Sequence, residues 1–299
     1  MARGSFGLRT LKKQFPTDDA CLNFLFRLHH ARTCACGGTF RLHATRKIFQ
    51  CSRCSRQIAP TVGTIFEGTK IPLSLWFHAI MMFSNAKSGL AASTIQRDLE
   101  ITYKSAWRMA HLIRSTLMQS EEPLSGTVES DMAFFGGKGH ASKNNERLGS
   151  VLKAKTKVFG AVQRKGEARA KVVSDGSAKT HKNFLWQHVS TKNTKLMTDG
   201  ALPYTHSASP YERRSVNHRK KEYVRGEVHT NSADSFWSHV KASVRGTHKA
   251  ISKKHFQSYL DGFVFHYNNR HTDKQRFEAL LDTILRARTV PAESDPSLT

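Results

Sequence analysis

Val128-Glu129-Ser130-Asp131-Met132-Ala133-Phe134-Phe135-Gly136-Gly137-Lys138 is the stretch on which the reading of this chain turns. Residues Val128–Phe135 are rich in strand-forming types and stop at a glycine pair, which predicts a strand closed by a turn. Asp131 falls in the middle of that strand, beside aromatic residues. Two more acids stand in comparable places. Lys195-Leu196-Met197-Thr198-Asp199-Gly200 predicts a short strand, Lys195–Met197, with Asp199 just past it. His229-Thr230-Asn231-Ser232-Ala233-Asp234-Ser235-Phe236-Trp237 opens a predicted helix, Ser232–Val244, with Asp234 in its first turns. Lys241 follows seven positions later, two turns along the same face. Taken singly, Asp199-Gly200 reads as a turn and Asp234 as a helix cap. The chain has only 23 Asp and Glu residues, so three acids placed in this order carry more weight together.

The charge points the same way. The 299 residues hold 47 Lys and Arg, a formal net charge of +24 and a pI near 10.2. The excess is spread along the chain. Residues 1–120 have 17 basic and 5 acidic side chains, and residues 121–299 have 30 and 18. Such a molecule repels itself and gains most by meeting a polyanion, with nucleic acid first because bound phosphates release counterions. No run approaches the ~20 apolar residues of a membrane span; the best, Leu75–Phe83, is interrupted by His78. The first residues lack the apolar core of a signal peptide. The expectation is therefore a cytoplasmic, nucleoid-associated protein with no membrane partner.

Outward from the acids, the elements read as follows. Residues 157–163 and 169–173 predict strands, 178–189 a helix, and 201–228 a basic loop. A second helix over Lys254–Asn268 has Phe256, Tyr259, Leu260 and Phe263 on one face. Residues 70–118 are helical, with Leu73, Trp76, Phe77, Ile80 and Met81 at i, i+3, i+4, i+7, i+8. The last ten residues predict a frayed end. These readings divide the chain into 1–66, a helix and a ribbon; 67–120, a helical DNA-binding region; 121–285, a catalytic domain; and 286–299, a flexible tail.

Four of five cysteines lie between 34 and 54, as Cys34-Ala-Cys36 and Cys51-Ser-Arg-Cys54. Two close pairs can give four thiolates to one tetrahedral Zn²⁺, and the segment between them predicts a hairpin, which makes a zinc ribbon. Cys21 lies outside this pattern and reads as a small core residue. Next, Ser88–Leu99 predicts a short helix and Glu100-Ile101-Thr102 a turn. A second helix then starts with Thr102 as its N-cap. This is a helix-turn-helix pattern, with Lys104, Ser105 and Arg108 on the face that could reach DNA. Two basic stretches flank the acids: residues 138–171, and residues 213–225 with Arg213, Arg214, Lys220 and Lys221. Both are candidate phosphate contacts. His229, close to the helix with Asp234, is a candidate contact to the scissile phosphate. Trp237 reads as core.

Two strand-borne acids and one helix-borne acid are the set that an RNase H-like site needs. Such a site holds two divalent metals against the attacking and leaving oxygens of a phosphodiester, and hard oxygen ligands suit Mg²⁺ or Mn²⁺. The expected fold is thus α/β: an RNase H-like mixed sheet with flanking helices, preceded by a small zinc ribbon and a helix-turn-helix segment.

Val128-Glu129-Ser130-Asp131 with Phe135-Gly136-Gly137-Lys138, Asp199-Gly200, and the run from His229-Thr230-Asn231 through Phe236-Trp237, Lys241, Gly246, His248, Ser252–His255, Tyr259-Leu260 and Tyr267-Asn268 to Arg270 resemble the ISXO-like bacterial insertion-sequence transposases. The resemblance covers about residues 15–275. It implies a DDE transposase that cuts transposon ends and joins the freed 3′-OH to target DNA. The implied partners are double-stranded DNA and further copies of the chain, as a homodimer or higher oligomer. By position it makes Asp131 and Asp199 the first two metal ligands, Asp234 the third, and Lys241 the accompanying basic residue. The sequence departs from the family in two ways. Asp234 stands where many relatives have Glu, and Asn231 is its rival as third ligand. The first strand reads Asp-Met-Ala-Phe where relatives more often have Asp-Glu-x-Tyr. Two other functions fit the same residues: a nuclease of this superfamily without strand joining, and a non-catalytic DNA-binding regulator.

Overall fold

The computed structural model describes residues 6–136, 155–200, 210–217, 220, 222–271 and 276–287. They fall into two compact units.

The first unit takes in residues 6–86, 90–117 and 276–287. Helix α1 (Leu8–Gln14) leads to α2 (Asp18–His29). The Thr17 hydroxyl accepts from the Ala20 N–H, and Asp18 and Asp19 complement the positive end of the α2 dipole. Cys21, Leu22, Leu25 and Phe26 form the buried stripe of α2, so Cys21 is a core residue. A small antiparallel sheet follows, β1 (Phe40–His43), β2 (Ile48–Cys51) and β3 (Gln57–Ile58), in the order β1-β2-β3. Phe49 of β2 stacks on Phe26, centroids 4.0 Å apart, and so ties the ribbon to α2.

Helix α3 (Leu73–Asn85) buries all five residues of its predicted stripe. The predicted turn separates α4 (Ala92–Leu99) from α5 (Tyr103–Ser115). Glu100 ends α4 in the left-handed region at φ 54°, and Thr102 accepts from the Ser105 N–H. The C-terminal helix Arg276–Arg286 belongs here and not with the acid-bearing domain. Phe277 stacks on Phe6 at 4.3 Å and meets Phe77, and the Arg276 guanidinium donates to the Ser84 carbonyl.

The second unit, residues 87–89 and 118–271, is built on one five-stranded sheet. Its strands are β4 (Leu124–Phe135), β5 (Thr156–Gln163), β6 (Ala168–Val173), β7 (Val189–Asp199) and β8 (Glu212–Val216). The order is β6-β5-β4-β7-β8, with β4–β5 and β5–β6 antiparallel and β4–β7 and β7–β8 parallel. Helix α6 (Ala178–His188) crosses from β6 to β7. A short hairpin, β9 (Val224–Arg225) and β10 (Val228–His229), then leads to α7 (Asn231–Ser243). The chain continues as one π-helical stretch, Val244–His248, and returns as α8 (Phe256–Asn268). This is the RNase H-like α/β fold that the sequence predicts.

The period of two in β4 sorts its residues between two cores. Val128 faces α6, packing with Phe159, Phe184, Leu185 and Leu196. Ala133 and Phe135 face α7 and α8, packing with Phe236, Trp237, Val240, Phe256 and Leu260. Glu129 and Asp131 share the parity of the second group. Opposite Asp131 on β5 stands Gly160, and any Cβ there would run into the Trp237 indole. That glycine lets α7 lie close on the sheet beside the acid, and it places Trp237 in the core.

Candidate active site

Three elements bring the predicted acids together. Parallel pairing puts Ser130 of β4 opposite Thr198 of β7, so Asp131 and Asp199 come next at the same level of adjacent strands. Helix α7 lies on that face and presents Asp234 and Lys241 from its exposed side. Burial pushes the Asp131 carboxyl up to about 7, and the charges of Asp199 and Asp234 add to the rise. The Met132 N–H and the Lys241 ammonium act against it. A half-buried carboxyl crowded by two more carboxylates is one that a bound cation would stabilise. The donor set is all oxygen and anionic, which fits a hard divalent cation, Mg²⁺ or Mn²⁺. Asn231 is exposed at the first turn of α7, where its N–H reaches His229 Nδ1 at 3.4 Å.

The sequence reading assigned no role to Glu129, whose side chain is fully buried. Arg164, just past β5, donates through Nε to Glu129 Oε1 at 2.6 Å. Glu129 Oε2 accepts the N–H groups of Ser232 (2.7 Å) and Ala233 (3.0 Å), and Oε1 accepts the Ser232 hydroxyl at 3.2 Å. The signal was present: an acid two residues before Asp131 on a strand must share its face.

His229 is drawn into the same group. Arg164 donates to the Glu227 and His229 carbonyls at 2.9 and 3.0 Å, and its Nη2 stands 3.1 Å from His229 Nδ1. A guanidinium has no acceptor, so Nδ1 accepts and the ring proton sits on Nε2.

The other predicted contacts are scattered. Arg213 is half-buried and donates to Thr198 Oγ1 (2.8 Å) and the Asp199 carbonyl (3.2 Å), which makes it a brace behind Asp199. Burial lowers its pKa, and Asp199 acts against that. Arg214 is exposed and pairs with Glu212 at 2.9 Å. Lys220 is exposed. Lys221 lies outside the described residues, as do 138–154 of the first basic stretch and the predicted tail from 288 on. In the first unit, Lys104 and Arg108 are exposed on α5, while Ser105 is engaged by Thr102.

The four cysteines form a separate centre. Their sulfurs all lie within 4.8 Å of one another, with Cys36–Cys51 at 3.5 Å and Cys34–Cys54 at 3.7 Å. Tetrahedral zinc with bonds near 2.3 Å places its sulfurs about 3.8 Å apart, so the set fits zinc. The N–H groups of Cys54 and Arg53 pull Cys51 down to about 6 toward the thiolate that zinc needs. Gly38 is required by the fold of the loop, because a Cβ there would stand 2.7 Å from Cys51 Sγ.

A sheet in this order with carboxylates gathered on one face can hold the divalent cations with which nucleic-acid strands are cut or transferred. Residues 123–268 match the ISXO2-like transposase domain. The chain is 23% identical over 259 residues to "Uncharacterized protein in transposable element ISH50" of Halobacterium salinarum, covering 81% of this chain and 87% of that one. It also aligns with a chain of the simian T-cell lymphotropic virus intasome solved with the PP2A regulatory subunit B56 gamma. That alignment covers 71% of this chain and 76% of the other, with 10% identity and a TM-score of 0.30. Among the described residues no helix is long and apolar enough to cross a membrane.

Proposed function

We propose that this chain is a DNA transposase that binds the ends of an insertion sequence, hydrolyses a strand at each end and joins the 3′-OH to target DNA. The observation that carries the reading is the convergence of Asp199 and Asp234 on Asp131. Asp131, Asp199 and Asp234 would hold two divalent cations. When bound, these supply Lewis-acid stabilisation of the attacking and leaving oxygens of an in-line displacement. The chain's own groups do the rest. The Asp131 and Asp199 strands fix the plane of the site, and Arg213 braces Asp199 from behind. Lys241 offers a point charge to a phosphate at the rim. His229 offers its Nε2–H. Lys104 and Arg108 read the end sequence, with Arg214, Lys220 and Lys221 on the backbone. The active form is a homodimer or higher oligomer on DNA, working in the cytoplasm.

The test is cleavage and joining of the DNA flanking the gene, with purified protein and Mg²⁺. Asp131→Asn and Asp199→Asn are each expected to abolish both products while DNA binding persists, because an amide keeps the shape and removes the charge. Asp234→Ala is expected to do the same and Asp234→Glu to retain activity; loss in Asn231→Ala with full activity in Asp234→Ala moves the third ligand to Asn231. Cleavage without joined product leaves a nuclease, and full activity in Asp131→Asn removes the enzyme.

A further inference from the structure

We propose that Glu129 is the positioning residue of the acid site: clamped by Arg164, it caps α7 from another element and so fixes where Asp234 stands against Asp131. The inference rests on the functional reading above.

The first turn of any helix leaves N–H groups without partners, and the N-cap side chain ordinarily accepts one. Thr230 holds that position in α7 but does not perform it; its hydroxyl donates to Asp234 Oδ2 at 3.1 Å. The hydroxyl therefore orients the acid, and the helix is left to find an acceptor elsewhere. Glu129 Oε2 supplies it, taking the Ser232 and Ala233 N–H groups at 2.7 and 3.0 Å. A buried ionised acceptor at a helix N-terminus gives stronger and shorter bonds than a neutral cap.

The geometry then couples the two halves of the site. Glu129 is two residues from Asp131 on one face of β4, so whatever holds Glu129 to α7 also sets the distance from α7 to Asp131. The Arg164 bond at 2.6 Å stops the carboxylate from turning. Through its other nitrogens the same guanidinium grips the carbonyls of Glu227 and His229, the segment that delivers the chain into α7. Glu129 thus reaches the reacting atoms only through Asp234 and His229.

The experiment uses the full-length, zinc-loaded chain with Glu129→Gln, Arg164→Lys and, as control, Asp131→Asn. Glutamine keeps the volume but puts an N–H₂ where an oxygen accepted. Lysine keeps the charge but cannot hold the carboxylate and both carbonyls. Three readouts are taken: Mn²⁺ affinity, amide exchange at residues 232–236 without divalent metal, and kcat against KM for DNA cleavage. The expected result for both variants is a roughly 10–100-fold loss of Mn²⁺ affinity. Exchange at Ser232 and Ala233 is faster while α8 stays protected. The fall in kcat is restored by excess Mn²⁺, and KM for DNA is unchanged. A merely structural defect would speed exchange in α8 as well as at Ser232 and Ala233. If Glu129→Gln fails to fold, Arg164→Lys carries the test, since that side chain is partly exposed. Wild-type Mn²⁺ affinity and exchange in a folded variant overturn the proposal while the acid site stands, provided Asp131→Asn loses Mn²⁺. Unchanged Mn²⁺ affinity in Asp131→Asn overturns the acid site and this role with it.

Discussion

Helix α3 in the first unit and α7 in the second both begin without a side-chain cap of their own, and both borrow a carboxylate from a distant part of the chain. Pro72 precedes α3 and has nothing to offer; Asp18 of α2 accepts the N–H groups of Leu73 (3.1 Å) and Ser74 (2.9 Å) and the Ser74 hydroxyl (2.8 Å). Thr230 precedes α7 and is turned to Asp234, so Glu129 takes its place. The donors are alike and the surroundings are not. Asp18 is half-exposed and, among the described residues, pairs with no arginine, whereas the Glu129 side chain is fully buried and is held by Arg164. Water replaces a lost Asp18 more readily than a lost Glu129, whose carboxylate is fully buried. The first cap ties two helices together; the second ties a helix to a strand that carries chemistry.

The difference sets the size of the expected effects. Glu129→Ala should cost about 2–4 kcal/mol in chemical denaturation, because it leaves a partly exposed guanidinium and two helix N–H groups without their buried acceptor. A loss under ~1 kcal/mol would mean that solvent enters the site and that the two caps are equivalent. Asp18→Ala should cost about 1 kcal/mol, the ordinary value of a lost cap. Its pH dependence sharpens the contrast. Burial alone would raise the Asp18 carboxyl, but hydrogen bonds from Ser74 and Leu73 hold it below its usual 3.8. Its contribution is therefore complete above that value and lost as the pH falls through the lower folded one. Acid unfolding curves of wild type and Asp18→Ala should converge below pH 4.

Asp131 has the opposite sign. The unfolded chain ionises it near 3.8 and the folded chain only near 7, so without metal this group costs stability progressively as pH rises between those values. Asp131→Asn should then melt higher than wild type at pH 8 in a chelator, by about 2–4 °C for each ~1 kcal/mol recovered in a unit of about 150–250 residues. No gain would mean that Asp131 is not desolvated in the folded chain. Metal affinity should rise with pH through about 7, since the cation competes with that proton.

Much of this was legible in the residues, because apolar period reports burial against apolar neighbours. The stripe of α3, the strand with Asp131, the face of α8, the cysteine ribbon and the Thr102 cap all come from local pattern. Strand β8 does not. Glu212-Arg213-Arg214-Ser215-Val216 reads as a basic loop because Arg213 and Ser215, the half-buried positions, are polar. Strand β7 starts at Val189, well before the predicted Lys195, through the mostly exposed run Ser190–Asn193. Arg213 looked like a phosphate contact until Thr198 and the Asp199 carbonyl were brought to it. Glu129 was quoted in its motif but given no task, since the donors that explain its burial lie 103 and 104 residues away. Pattern shows which face is dry, and only tertiary contact shows which polar group is at home there.

The central claim is that Asp131, Asp199 and Asp234 form one cation site. Its most direct test is a Mn²⁺ titration followed by electron paramagnetic resonance, with the ribbon zinc in place, at pH 8, on wild type and Asp131→Asn. The account predicts saturable Mn²⁺ binding by the wild type that Asp131→Asn loses while remaining folded; equal binding by the two proteins would contradict it.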